Sequence, residues 1–219
     1  MSGLCLEGVS IGIDGRMLFE NFDLVVEPGA ITTIMGPSGC GKSSLLSHIC
    51  GTLEPMFETS GVLRLDGQVI GYLPTERRRV GILFQDDLLF PHLSVEENLL
   101  FALPSQIRGR RQRRARAEAA LVEADLAGFA DRDPTTLSGG QRARVALMRT
   151  LLAAPRCLLL DEPFGKLDQA LRHRVRTFVF DHAREAGLPT LLVTHEETDA
   201  AAANGPVVVV EPPAPSPGL

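Results

Sequence analysis

The sequence predicts an α/β fold: a parallel-sheet core, a region of antiparallel strands and an inserted helical lobe. Three observations predict it. Apolar, β-branched runs alternate with helical patterns over most of the 219 residues, as in chains built from strand–helix units. Four of these runs end on glycine or polar residues: Ala30 to Met35 before Gly36, Val80 to Phe84 before Gln85, Cys157 to Leu160 before Asp161 and Glu162, and Pro189 to Thr194 before His195. Open α/β sheets bind ligands at the carboxyl ends of their strands, so these ends should converge on one site. From Asp86 to Thr136 there is helical periodicity and no strand.

Taken in order, residues 4–28 and 60–72 read as antiparallel strands and turns, with Gly15, Gly61 and Gly67 as turn glycines. The run 30–35 is a strand, and the helix after it carries Leu45, Leu46 and Ile49 on one face with Gly51 as its stop. Helices are predicted at 94–103 and 112–128, and another follows Ser138 with Val145, Met148, Leu151 and Leu152 as its apolar face and Pro155 closing it. A short helix at 196–203 and a strand at 206–210 complete the pattern. Pro212, Pro213, Pro215 and Pro217 cannot build a packed element. The expected organisation is a single domain. Residues 1–86 and 135–210 make the core with its β-subdomain, 87–134 a helical subdomain and 211–219 a proline-rich tail.

The composition narrows the function. Hydrophobic residues are 44% and charged residues 22% of the chain, an ordinary soluble balance. No apolar run reaches the ~20 residues of a membrane span. The first residues carry no secretory pattern. Cys5, Cys40, Cys50 and Cys157 form no C-x-x-C pair, which fits a reducing compartment and argues against disulfide or zinc scaffolds. A net charge of −5 disfavours nucleic acid as a partner. All but two of the 22 basic residues are arginine, the exceptions being Lys42 and Lys166. Six arginines crowd 108–116 without an acid. That run reads as a solvated loop and helix start, or as a contact for nucleic acid, anionic lipid headgroups or a membrane partner.

Gly36-Pro37-Ser38-Gly39-Cys40-Gly41-Lys42-Ser43 satisfies G-x-x-x-x-G-K-[ST]. Glycines let backbone N–H groups wrap phosphate oxygens, and the following helix points its positive end at the same anion. Lys42 would reach the β- and γ-phosphates, Ser43 would ligate Mg²⁺, and Ser44 joins the same turn. Leu158 to Glu162 ends a strand in Asp161, placed to hold Mg²⁺, and Glu162, placed to activate water. Leu137-Ser138-Gly139-Gly140-Gln141 precedes a helix. Ser138 and Gln141 make a capping box that needs no ligand, and the two glycines make a plain anion nest. Taken alone, His195 reads as a strand-end cap and Gln85 as a turn residue.

Together, the loop 36–43, Gln85, the Leu-Ser-Gly-Gly-Gln run and the Asp161-Glu162 pair resemble, in this order, the ATP-binding cassette (ABC) ATPases. The resemblance covers about residues 4–210. It implies a P-loop NTPase cassette with a RecA-like parallel core, with ATP and Mg²⁺ as cofactors. It also implies a head-to-tail homodimer holding two ATP molecules, each between the phosphate loop of one subunit and the signature of the other. Ser138, Gly139, Gly140 and Gln141 would then face the partner's ATP, and Asp168 would be the D-loop aspartate. Gln85 would sense Mg²⁺ and the attacking water, and His195 would contact the γ-phosphate beside the catalytic Glu162 and Lys42. Residues 84–99, with Phe90-Pro91-His92-Leu93, resemble importers that use a soluble binding protein, including the thiamine, polyamine, iron and sulfate systems, and the overall pattern is most similar to the Ynj-type, thiamine-transporter-like systems. That implies a cytoplasmic subunit peripheral to the bacterial inner membrane. Transmembrane permease subunits would dock over 88–93, and a periplasmic or extracellular binding protein would take part indirectly. The alternatives keep the ATPase but attach it to an exporter or lipoprotein-release complex, or to nucleic acid; the 90–93 stretch and the net charge count against them. Two features depart from the family pattern. The usual adenine-stacking aromatic falls near Ile13, with Phe19 the nearest ring, and the D-loop opens with Gly165 in place of serine.

Overall fold

The computed structural model describes residues 2–84, 86–165 and 167–211; Gln85, Lys166 and the proline-rich tail at 212–219 lie outside it. Backbone contacts divide the chain into two units. Among the described residues, the first spans 2–82, 156–162 and 180–211, and the second spans 83–155 and 163–179.

The first unit contains two sheets. In the antiparallel one, β1 (Leu4–Ile13) pairs with β2 (Arg16–Val26) and with β4 (Phe57–Leu65), and β4 pairs with β5 (Gln68–Val69). Gly15 and Gly67 sit in turns with positive φ, as expected. Gly61 does not. It lies inside β4 at φ 91°, where the register slips between Glu7 and Ser10 of β1, and a Cβ there would stand 2.5 Å from the Gly8 carbonyl oxygen. It is a bulge glycine, left without a side chain so that two backbones can meet.

The other sheet has the order β6 (Val80–Leu83), β7 (Cys157–Asp161), β8 (Thr190–Val193), β3 (Ile31–Met35), β9 (Val207–Val209). β8 runs parallel to β7 and to β3, and β3 runs parallel to β9. Every residue of β8 and all but the last of β3 and β7 are buried, which is why these strands read as continuous apolar runs rather than alternating ones. One core joins both sheets to α1 (Lys42–Cys50), through Leu6, Ile11, Ile34, Leu45, Ile49, Leu63, Leu159 and Leu191. All four cysteines are buried and free. Burial pushes the Cys157 thiol far up, so it is an inert core residue.

Two helices of this unit were not read from the sequence. One is the single turn α2 (Thr75–Arg78). The other is α6 (Gln169–Glu185), the longest helix among the described residues, whose last residues, 180–185, belong here. Its apolar positions Leu171, Val175, Phe178, Val179 and Ala183 have helical spacing, but arginines and histidines between them mask it. The short helix α7 (Glu197–Ala203) and β9 follow the expected order.

In the second unit α3 (Val95–Ala102), α4 (Arg110–Glu123) and α5 (Gly139–Leu152) pack through Val95, Leu99, Ala117, Leu121, Val145 and Met148. Ser94 caps α3 in a full capping box with Glu97. Helix α4 starts two residues before the expected boundary and ends five short of it, so the arginine run forms its first two turns. Arg113 in that run is not solvated: its guanidinium donates to the carbonyls of Leu100, Leu103, Pro104 and Ile107. Arg114 pairs with Glu96 at 3.3 Å, while Arg108, Arg110, Arg111 and Arg116 are exposed.

Candidate functional site

The phosphate loop joins β3 to α1, the strand–loop–helix context that the motif requires. Two of its glycines are explained by what surrounds them. Gly36 lies under the Val210 carbonyl oxygen, 2.5 Å from where a Cβ would stand. Gly41 caps α1 in the left-handed region at φ 94°, and a Cβ there would meet Leu18 and Phe19 at 3.0 and 3.1 Å. Phe19 is therefore a support beneath the loop. It is 4% exposed and edge-on to Phe22, so it offers no face to an adenine ring.

Lys42, 7% exposed, sends its ammonium back across the loop to the carbonyls of Gly36 and Pro37, both at 2.8 Å. Ser43, one residue on, bonds through its hydroxyl to the Asp161 carboxylate. Burial raises the Asp161 pKa, the Ser43 bond lowers it, Glu162 raises it and Lys42 lowers it; the net direction is up. The next residue, Glu162, has φ 46°, a left-handed backbone that a side chain adopts only under constraint. The constraint is visible: its N–H donates to the Val193 carbonyl at 2.9 Å. This turns the carboxylate off the tip of β7 to meet His195 from the tip of β8, Oε1 to Nδ1 at 3.1 Å. Thr194 fixes the start of the His195 turn by accepting the Glu196 N–H. The structure thus brings Lys42, Ser43, Asp161, Glu162 and His195 together in the first unit, with Pro37, Ser38 and Gly39 exposed on the loop and Cys40 buried beneath it.

In the second unit Ser138 caps α5. Its hydroxyl accepts the Gln141 N–H at 3.3 Å and its own N–H donates to Gln141 Oε1 at 2.9 Å. The capping box is formed, so Gln141 serves the helix itself. Gly139 is exposed and Gly140 is buried; a Cβ on Gly140 would overlap Leu171 of α6 at 1.8 Å. Asp168 accepts the Leu171 N–H at 3.0 Å and opens α6. Gln85 lies outside the described residues.

The stretch after it is tightly built. Asn98, fully buried, accepts the Phe90 N–H and donates to the carbonyls of Phe90, Leu93 and Ser94. The expected apolar patch divides: Leu89 packs on the helical core, while Leu88 is 55% exposed. Phe90 is half-buried and edge-on to Phe101, which is 69% exposed. Phe101 was not anticipated; its outward place on α3 could have been read from the helical periodicity. Among the described residues no helix is long and apolar enough to cross a membrane.

A phosphate loop, an acidic strand end and a histidine strand end on one sheet, with a capped Ser-Gly-Gly helix start in a helical unit, define a nucleotide-hydrolysing cassette. Comparison with known proteins agrees. Residues 19–165 match the family model of the ABC transporter. The chain is 49% identical to the uncharacterized ABC transporter ATP-binding protein YnjD of Escherichia coli K12, over 91% of each chain. It is 37% identical to the Fe(3+) ions import ATP-binding protein FbpC 1 of Haemophilus influenzae and 40% to the spermidine/putrescine import ATP-binding protein PotA of Oleidesulfovibrio alaskensis. It covers 62% and 54% of those two relatives, against 94% of its own length. A dimeric structure of MJ0796, a bacterial ABC transporter cassette, superposes with a TM-score of 0.81 at 31% identity, over 95% of this chain and 94% of that one. The structure of MJ0796 in a post-hydrolysis state, bound to ADP and Pi, gives 0.81 at 29% identity over 99% and 100%. The chain belongs to the ABC transporter ATP-binding family, and it is an ATPase cassette of that family.

Proposed function

We propose that this chain is the ATP-hydrolysing subunit of a solute importer, working as a head-to-tail homodimer beneath a separate permease. The Glu162–His195 pair carries the reading: the residue placed to activate water is held at 3.1 Å by the next strand's histidine, beside Asp161, Ser43 and Lys42. The loop N–H groups and the Lys42 ammonium receive the phosphates. Mg²⁺ fits the oxygen-only pair of Ser43 and Asp161, being a hard cation that takes few protein ligands and keeps waters and phosphate oxygens; when bound it neutralises charge on the β- and γ-phosphates. Glu162 takes the proton of the attacking water, and His195 fixes its orientation. Ser138, Gly139 and Gly140 of a second copy meet the γ-phosphate, and Gln85 and Asp168 complete the reading as the sensor and D-loop residues.

The names of FbpC and PotA support import over export. The exposed Leu88 and Phe101, beside Phe90, suit a permease segment, because an apolar patch of this kind is otherwise a liability. Such a subunit sits on the cytoplasmic face of the inner membrane, with the solute-binding protein acting through the permease. Glu162→Gln tests the reading. It should bind ATP with unchanged affinity, form a stable ATP-dependent dimer, and hydrolyse at least ~100-fold more slowly; undiminished turnover removes Glu162 from the role.

A further inference from the structure

Two arginines of α5 grip the stretch that follows residue 85. Arg142 donates from Nε to Asp87 Oδ2 at 2.8 Å and from Nη1 to the Leu137 carbonyl at 2.7 Å. Arg149 donates to the carbonyls of Asp87 and Leu88 at 3.2 and 2.7 Å, with its guanidinium 5.5 Å from the centre of the Phe90 ring. The same 14-residue helix begins at the Ser138 cap. One rigid rod of about 20 Å therefore carries the nucleotide-facing glycines at its start and grips the apolar stretch 87–90 along its side.

The Arg142 contacts are specific. Leu137 is the residue that leads into the Ser138 cap, so holding its carbonyl fixes how the cap enters the helix. The guanidinium reaches the carboxylate and the carbonyl from two separate nitrogens, a spread that the single nitrogen of an ammonium matches only in part. Both partners are about one-third exposed, 36% for Arg142 and 30% for Asp87. Gly139, Arg142 and Asp87 also line one cavity of about 130 Å³, so the pair has space to open without repacking the core.

We propose that Arg142 is a positioning residue for ATP-driven closure: paired with Asp87, it ties the presentation of Ser138 to Gly140 to the position of the 87–90 stretch. A force on that stretch reaches the signature through α5 itself. This rests on the reading that the signature of one copy engages nucleotide held by another.

The test uses the full chain carrying Glu162→Gln. ATP-dependent dimerisation is measured by analytical ultracentrifugation, and single-protomer affinity by titration with a fluorescent ADP analogue. Asp87→Asn and Arg142→Gln should each weaken dimerisation about three- to tenfold, the range for a partly buried charge-assisted pair. ADP affinity should stay within about twofold, since the ADP site is built from the first unit. The double variant should be no worse than the worse single one, and Arg142→Lys should recover part of the loss. Ser138→Phe is the control. If it abolishes dimerisation while Asp87→Asn and Arg142→Gln leave it intact, or if their losses add or fall equally on ADP affinity, the inference is wrong. If Ser138→Phe dimerises normally, the signature reading itself fails.

Discussion

Arg78 offers the sharpest test of how the phosphate loop is held. It is 8% exposed, and its guanidinium donates to four backbone carbonyls. Nε donates to Leu73 O at 2.8 Å, Nη2 to Gly71 O at 2.7 Å, and Nη1 to His48 O and Ile49 O at 2.6 and 3.1 Å. The last two belong to the final turn of α1, the helix whose first residue is Lys42. A buried cation there satisfies orphan carbonyls and opposes the negative end of the helix dipole. Arg78→Met keeps the bulk and removes every donor. At ~1 kcal/mol net per bond the loss is about 4 kcal/mol, reduced to about 3 kcal/mol as water reaches the carbonyls of the half-exposed Gly71 and Leu73.

The chain has no tryptophan, so urea unfolding is followed by far-UV circular dichroism. With an m-value of ~2–3 kcal/mol/M the midpoint should fall by about 1–1.5 M, with Arg78→Lys falling between. A second signal is independent of stability. The His48 pKa is lowered by burial first and by Arg78 second. In Arg78→Met, His48 should titrate higher than in the parent by NMR, yet still below a free histidine. A midpoint shift under about 0.3 M, or an unmoved His48, refutes the reasoning.

Two other outcomes follow from the site and from the exposed apolar patch of Leu88 and Phe101. Asp161→Asn should stabilise the nucleotide-free chain at pH 7.5 while abolishing Mg²⁺-dependent turnover. An acid whose folded pKa lies above its unfolded value loses stability as pH rises through that window, so the gain should vanish below about pH 4 in thermal melts. Leu88→Asp with Phe101→Asp should leave the thermal midpoint within about 2 °C and the isolated ATPase rate within about twofold, since both side chains face outward. Stimulation by the co-purified permease should be lost; a collapsed melt would instead make the patch part of the core.

What the sequence revealed follows from where each signal sits along the chain. The phosphate loop, its strand and its helix were legible because every determinant lies within about twenty residues: buried β3, the three glycines, the 45/46/49 face and Gly51. The Asp161 and His195 strand ends were legible for the same reason. Gly61 was misread because a turn and a bulge make the same local demand for positive φ, and only its partner Gly8, far away in sequence, decides between them. Helix α6 was missed because charged residues interrupt its stripe. Arg78, Arg142 and Arg149 could not be singled out, since a guanidinium that serves carbonyls looks like any surface arginine until the fold delivers those carbonyls. Phe19 read as the nearest ring for adenine because distance along the chain says nothing about which way β2 faces.

Glu162 holds a backbone conformation in which glycine would be at ease and a glutamate is strained by ~1–2 kcal/mol. The strained side chain is thus the one proposed to activate water. In a gene copy released from the need for turnover, drift at this codon would be rewarded with a better-folded protein. A cassette of this family carrying glycine at that place would have a physical reason to persist as a nucleotide-binding scaffold, and a library screened only for heat resistance would be steered toward the same silent form.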